Sequence, residues 1–139
     1  MGKMNLALAK KLIEAAEQKS KELGLAMVIS VVDEGGNLIA CHRMDDAWLL
    51  SVDISQNKAW TSVAVKLPTA ALADLTVPGA ELWGLNTTNE GRIVLFGGGI
   101  PLMEDGKVIG AVGVSGSTVP NDVLVAEAAV QAFNVLVPV

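Results

Sequence analysis

Apolar residues Leu6, Ala9, Leu12, Ile13, Ala16 and Leu23 recur at helical spacing, framed by Asn5, a good N-cap, and Gly24, suited to the left-handed position after a helix. That pattern predicts a first helix. From Leu25 to Val32 the chain is a continuous apolar run, Asp33-Glu34-Gly35-Gly36 has turn chemistry, and Asn37 to Met44 returns as a second extended run. Together they predict a β-hairpin. Asp45 and Asp46 then offer an N-cap to a long helical segment without Gly or Pro, Ala47 to Leu67. Pro68 suits the first turn of a short helix through Leu75, and Pro78-Gly79 ends it.

The second half reads as β structure: Arg92 to Phe96, a glycine tract, Ile100 to Glu104, the turn Asp105-Gly106, and Lys107 to Val114. Leu82 to Leu85 is a candidate for one more strand. A final helix, capped by Thr118 or Asn121, runs to about Leu136, with Pro138 beyond it. With no linker or repeat, the order describes one α+β domain over residues 1–139, an antiparallel sheet flanked by helices. Alternation puts Met27, Ile29 and Val31 on one face of the first strand, and Ser30 marks the other face as polar. Met27, Ile29, Val31, Leu95, Val112 and Val114 are the expected core.

Composition adds an assembly argument. Hydrophobic residues make up 51% of the chain and charged residues only 18%, more apolar material than a domain of this size hides alone. Homo-oligomerisation is expected to cover the excess. The longest uncharged run, Val108 to Asn121, is too short and too polar to span a bilayer, and charges through the first 22 residues break any signal-peptide core. A lone cysteine, Cys41, points to a reducing cytoplasm. Nucleic-acid binding is disfavoured by a net charge of −5, two arginines and the absence of tyrosine.

Four stretches carry candidate chemistry. The tract Phe96-Gly97-Gly98-Gly99-Ile100-Pro101 lacks the Lys-Ser/Thr of a phosphate loop and enters a strand instead of a helix. It reads either as a bend needing glycine or as a wall against which a flat ligand lies. Gly113-Val114-Ser115-Gly116-Ser117 approaches a nucleophile elbow but has Ser117 where the second glycine belongs, so a strand end opening to a helix cap is preferred. In Cys41-His42-Arg43-Met44-Asp45-Asp46, alternation puts His42 and Met44 on one face and Cys41 and Arg43 on the other. This strand can then supply at most one metal ligand, and a structural zinc site is excluded on ligand count. Ser51, Ser55, Lys58 and Ser62 form a helical stripe of small hydroxyl residues around one ammonium. It reads either as a close helix–helix contact in an oligomer or as a place where Lys58 meets Asp45, Asp46 or a ligand carboxylate, with Asp53 off the stripe and solvated.

Five blocks in register resemble a known family: Val31-Val32-Asp33-Glu34-Gly35-Gly36-Asn37, Arg43-Met44-Asp45-Asp46-Ala47, Asp53-Ile54-Ser55-Gln56-Asn57-Lys58-Ala59, Phe96 to Pro101, and Val108 to Gly116. In that order the chain is similar to the GlcG/HbpS-like haem-binding family, which includes the C-terminal domain of the propanediol-utilisation protein PduO and stand-alone proteins of glycerol and propanediol dehydratase operons. The resemblance implies a profilin-like fold, tetramers or octamers, and haem binding, with a corrinoid as the second choice of ligand. It further implies a cytoplasmic accessory role in diol or glycerol metabolism, alongside diol dehydratase-system proteins and associated with a bacterial microcompartment. The adenosyltransferase activity associated with PduO belongs to its other domain and is not transferred. The competing reading is an oligomeric scaffold without a cofactor; an enzyme ranks third, because neither a nucleophile–base pair nor a metal cluster is visible. The expected site gathers His42 as the one axial ligand to iron, Arg43 and Lys58 facing propionates, Asp45 beside them, and Gly97, Gly98, Gly99, Pro101 and Ser115 lining the ligand.

Overall fold

The computed structural model describes residues 3–137. Its elements are α1 (Leu6–Glu22), β1 (Val28–Asp33), β2 (Leu38–Arg43), α2 (Leu50–Val65), β3 (Gly99–Glu104), β4 (Lys107–Ser115) and α3 (Val119–Leu136). The strands form one antiparallel sheet in the order β2-β1-β4-β3, so the expected α+β class is what the chain adopts. Asn5 caps α1 by accepting the Leu8 N–H at 2.8 Å, and Gly24, at φ +71°, ends it with the Leu25 N–H bonded to the Ser20 carbonyl at 2.8 Å. Thr118, not Asn121, caps α3. Pro138 lies outside the described residues.

Several elements differ from expectation for local reasons. Residues 66–98 hold only short 3-10 turns: Pro68 opens one at Thr69–Leu72, not a helix to Leu75, and Leu82 to Leu85 is turn, not strand. Arg92 to Phe96 is not a strand either. The Thr61 hydroxyl on α2 accepts the Val94 N–H at 3.1 Å and donates to the Arg92 carbonyl at 3.3 Å, so a helix side chain replaces a neighbouring strand there. Leu95 is consequently half-buried instead of core. Asp45 and Asp46 do not cap α2, which begins only at Leu50; Asp46 sits at φ +70°, far from the extended geometry of a cap.

The two faces of the sheet are covered differently. Met27, Ile29, Val31, Val112 and Val114 are fully buried and pack with Leu12, Ile13, Ala16, Val125, Ala129 and Phe133 of α1 and α3. The face that Ser30 marks as polar is also covered: Ser30 is fully buried because α2 lies over it, and its hydroxyl lies 2.8 Å from that of Ser55. The stripe on α2 therefore faces the sheet, not a second helix. Ser51 accepts from Ser115 at 3.0 Å, Ala59 packs with Val32 and Ala111, and a Cβ added to Gly113 would meet the Ser55 carbonyl and lie 2.7 Å from the Ala59 nitrogen.

Lys58, in the same stripe, crosses the end of the sheet to α3. Its ammonium donates to Asp122 Oδ2 at 3.0 Å and to the Val114 carbonyl at 2.8 Å and lies 5.2 Å from the Phe96 ring centroid, with neither charged residue more than 3% exposed. The glycine tract is shaped around it. A Cβ on Gly98, at φ +129°, would lie 2.5 Å from Lys58 Nζ, and one on Gly99 would lie 2.8 Å from the Lys58 carbonyl carbon. Burial pushes the Asp122 carboxyl above its usual range and the Lys58 ammonium below its own, each partly offset by the partner.

Three outcomes are expected. Gly113→Ala, whose new methyl meets rigid backbone, should destabilise by at least the roughly 1–3 kcal/mol of overpacking. Gly106→Ala, in open space at φ +76°, should cost only the roughly 1–2 kcal/mol of the left-handed backbone; urea midpoints measure both. Lys58→Met alone strands a buried carboxylate and should cost about 3–5 kcal/mol, much of it recovered in Lys58→Met/Asp122→Leu. Folded Asp122 keeps its proton beyond the pH at which the unfolded carboxyl loses it, so its contribution declines as pH rises through its raised value; that of Lys58 recovers as pH rises toward the ordinary lysine range. The stability of wild type relative to the double variant, measured by denaturation across pH, should therefore pass through a minimum between those windows.

Candidate functional site

The expected site residues separate into two groups. Arg43, Val28 and Ser115 share one row across the ladder, and Gly98 accepts from Val114 at the same end of the sheet. His42 and Arg43, however, belong to the β2 edge and the glycine tract to the β3 edge. Three strand spacings, about 14 Å, lie between them.

On the β2 edge, His42 pairs with Ile29 across the ladder and therefore faces α1. Its Nδ1 lies 3.0 Å from Glu17 Oε2. A carboxylate only accepts, so Nδ1 carries the hydrogen and Nε2 presents its lone pair. The ring is about half exposed, at 47%. Arg43 points to the other face, where Nε and Nη2 both donate to the Ala47 carbonyl at 3.0 and 2.8 Å. It forms no ion pair with Asp45 or Asp46; among the described residues Lys58 and Asp122 form an ion pair, and His42 and Glu17 a hydrogen-bonded pair. Beside this corner is a cleft of about 550 Å³ lined by Glu17, Lys21, Leu25, Ala26, Arg43, Met44, Asp45 and Asp46. Lys21 and Arg43 supply two cations there. Leu25, Ala26 and Met44 supply apolar surface.

The other expected residues are engaged elsewhere. Lys58 is fully buried against Asp122, so its ammonium is not offered to a ligand carboxylate. Ser115 is 5% exposed and donates to Ser51. Gly97 packs beneath Val123, Val119 and Ala70. Gly98 and Gly99 line a second cavity of about 490 Å³, and Pro101 is half-buried on the β3 edge. Glu17, Lys21 and Asp122 are the participants that sequence reasoning missed. Glu17 and Lys21 read as part of a solvated helix face; the only signal for Glu17 was the parity that turns His42 toward α1.

With this geometry in place, relatives become informative. Residues 4–131 match the family model described as haem degrading protein HbpS-like. The chain is 51% identical over 133 residues to an uncharacterised 15.0 kDa protein of the dhaT-dhaS intergenic region of Citrobacter freundii, covering 96% of this chain and 94% of that one. It is 42% identical over 124 residues to the corrinoid adenosyltransferase PduO of Salmonella typhimurium, covering 89% of this chain but only 37% of PduO. Among solved structures, a PduOC:heme complex superposes with a TM-score of 0.91 at 38% identity, covering 94% of this chain and 95% of that chain. The chain carries the sheet, the flanking helices and the length of these relatives' shared domain, and it belongs to the HbpS-like family.

Proposed function

We propose that this protein binds haem at the β2 edge, with His42 as the single axial ligand and the neighbouring cleft holding the macrocycle. The observation that carries the reading is the His42–Glu17 contact at 3.0 Å. A carboxylate behind Nδ1 fixes the tautomer and ring orientation and raises the basicity of Nε2, the arrangement that metal-bound histidines use. Lys21 and Arg43 suit two propionates, Lys21 as a point charge and Arg43 through the donors that its bonds to the Ala47 carbonyl leave free. Support also comes from the PduOC relative, whose crystal structure is a heme complex. Lys58, Gly97, Gly98, Gly99, Pro101 and Ser115 fall outside this version of the site, and Asp45 sits on its rim.

Haem, when bound, would supply a redox-active iron; His42, Lys21 and Arg43 would hold and orient it. The role is that of a binding accessory protein in diol or glycerol metabolism, supported by relatives from the dhaT-dhaS region and from PduO. A second feature supports self-association. Trp48, Leu49 and Leu50 are consecutive and 58%, 73% and 58% exposed, an apolar ledge that a second copy would cover.

Hemin titration tests the ligand. A saturable Soret band is expected for wild type, weakened at least tenfold in affinity by His42→Ala and several-fold by Glu17→Ala, with Lys58→Arg unchanged. A band that persists under ascorbate supports holding; one that bleaches to a biliverdin-like spectrum makes the protein a haem-degrading enzyme instead. No saturable band, or equal binding by His42→Ala, removes the reading and leaves the scaffold. For assembly, light scattering at micromolar concentration should give a multiple of the 14.4 kDa chain mass, and Leu49→Glu should lower it; a mass of one chain would contradict self-association.

A further inference from the structure

The second cavity lies on the opposite edge of the sheet from His42. It occupies about 490 Å³ between α3, the turn at Pro68 to Ala70 and the start of β3, within the range of small-molecule sites. Its walls are Val123, Val130, Pro68 and Ile100, and the backbone of Gly98 and Gly99 forms its base. Two polar side chains, Glu127 and Gln131, project from successive turns of α3. Glu127 pairs with no basic side chain among the described residues.

The edge of β3 offers acceptors without donors. Gly98 accepts from Val114 in the ladder, so alternation turns the backbone of Gly99 and Pro101 outward, away from β4. The Gly99 N–H is already taken by the Thr69 hydroxyl at 2.9 Å, and Pro101 has none. Only carbonyl oxygens remain on that rim. The Lys58 ammonium behind Gly98 is fully buried and paired with Asp122, and no Lys or Arg lines the cavity. Glu127 is the one charged residue of the lining; the Gln131 carboxamide both donates and accepts, and the outward Gly99 carbonyl accepts.

We propose that this cavity binds a small organic cation, an apolar chain or ring bearing a primary ammonium. The apolar part lies on Val123, Val130 and Ile100. The ammonium donates to Glu127 and to the outward Gly99 carbonyl. An anion of the same shape is repelled by Glu127, with no cation in the lining to offset it. A neutral alcohol of the same shape keeps the apolar contact and one hydrogen bond.

Saturation-transfer NMR on the intact protein with hexylammonium, hexan-1-ol and hexanoate at matched ionic strength tests this. Saturable transfer to hexylammonium is expected, with hexan-1-ol at least fivefold weaker and hexanoate at background. Glu127→Gln, an exposed position on α3, should weaken hexylammonium at least fivefold and leave hexan-1-ol unchanged. His42→Ala should alter neither, which separates this site from the haem reading. The proposal is overturned if hexylammonium shows no saturable transfer, as when a second copy covers the cavity. It also fails if all three probes behave alike, or if Glu127→Gln binds hexylammonium as wild type does.

Discussion

The fold depends on how closely the backbone of α2 lies on the sheet. Gly113 and Gly99 have the Ser55 carbonyl, the Ala59 nitrogen and the Lys58 carbonyl in the space their side chains would fill. Contact at that range leaves no room for Leu or Phe between the layers. The α2 face of the sheet is closed instead by hydroxyl pairs, Ser30–Ser55 and Ser51–Ser115, and by alanines. Dispersion between well-packed small groups replaces the transfer energy of large side chains. One cost is visible: the Ser62 hydroxyl, on the same stripe, is buried without a partner among the described residues.

From that seating the rest follows. A helix so near the sheet brings Lys58 to the end of β4, where its side chain reaches Asp122 on the opposite layer. The pair connects the helix that covers one face to the helix that starts the other. It also explains three consecutive glycines as clearance for Lys58, α2 and α3, with a positive φ only at Gly98. The two edges of the sheet are left with contrasting chemistry. The β2 edge carries an imidazole, two cations and two aspartates, whereas the β3 edge carries a carboxylate, a carboxamide and bare carbonyls.

What was legible in the sequence was what periodicity encodes. α1, the β1–β2 hairpin, the Asp105-Gly106 turn and α3 all announce themselves through apolar spacing and caps. The face of β1 packed on α1 and α3 was also readable, and so was the opposition of His42 and Arg43. What failed shares a physical cause, because a small polar residue looks the same whether it meets water or a glycine. Ser30 marked only a polar face, and the α2 stripe was open between another helix and a meeting place for Lys58 with Asp45, Asp46 or a ligand, although Gly99 and Gly113 held the complementary half of the pattern. Arg92 to Phe96 has strand composition, and only Thr61, 31 residues away, decides that it is not one. His42 could be singled out as the only imidazole; Glu17, 25 residues distant, could not.

Trp60 stands where three parts of the chain meet. Gly36, in the hairpin turn, leaves room for its ring, since a Cβ there would be 2.7 Å from Cδ1, and the Arg92 guanidinium lies 4.0 Å from its centroid. The other tryptophans, Trp48 and Trp83, are 58% and 65% exposed. An indole that is water-exposed in the single chain changes its surroundings little on unfolding, and any part contributed by Trp48, on the ledge a second copy would cover, varies with protein concentration. The concentration-independent part of the intrinsic fluorescence change therefore belongs to Trp60, and it reports the moment at which the hairpin turn, α2 and the irregular segment before β3 part company.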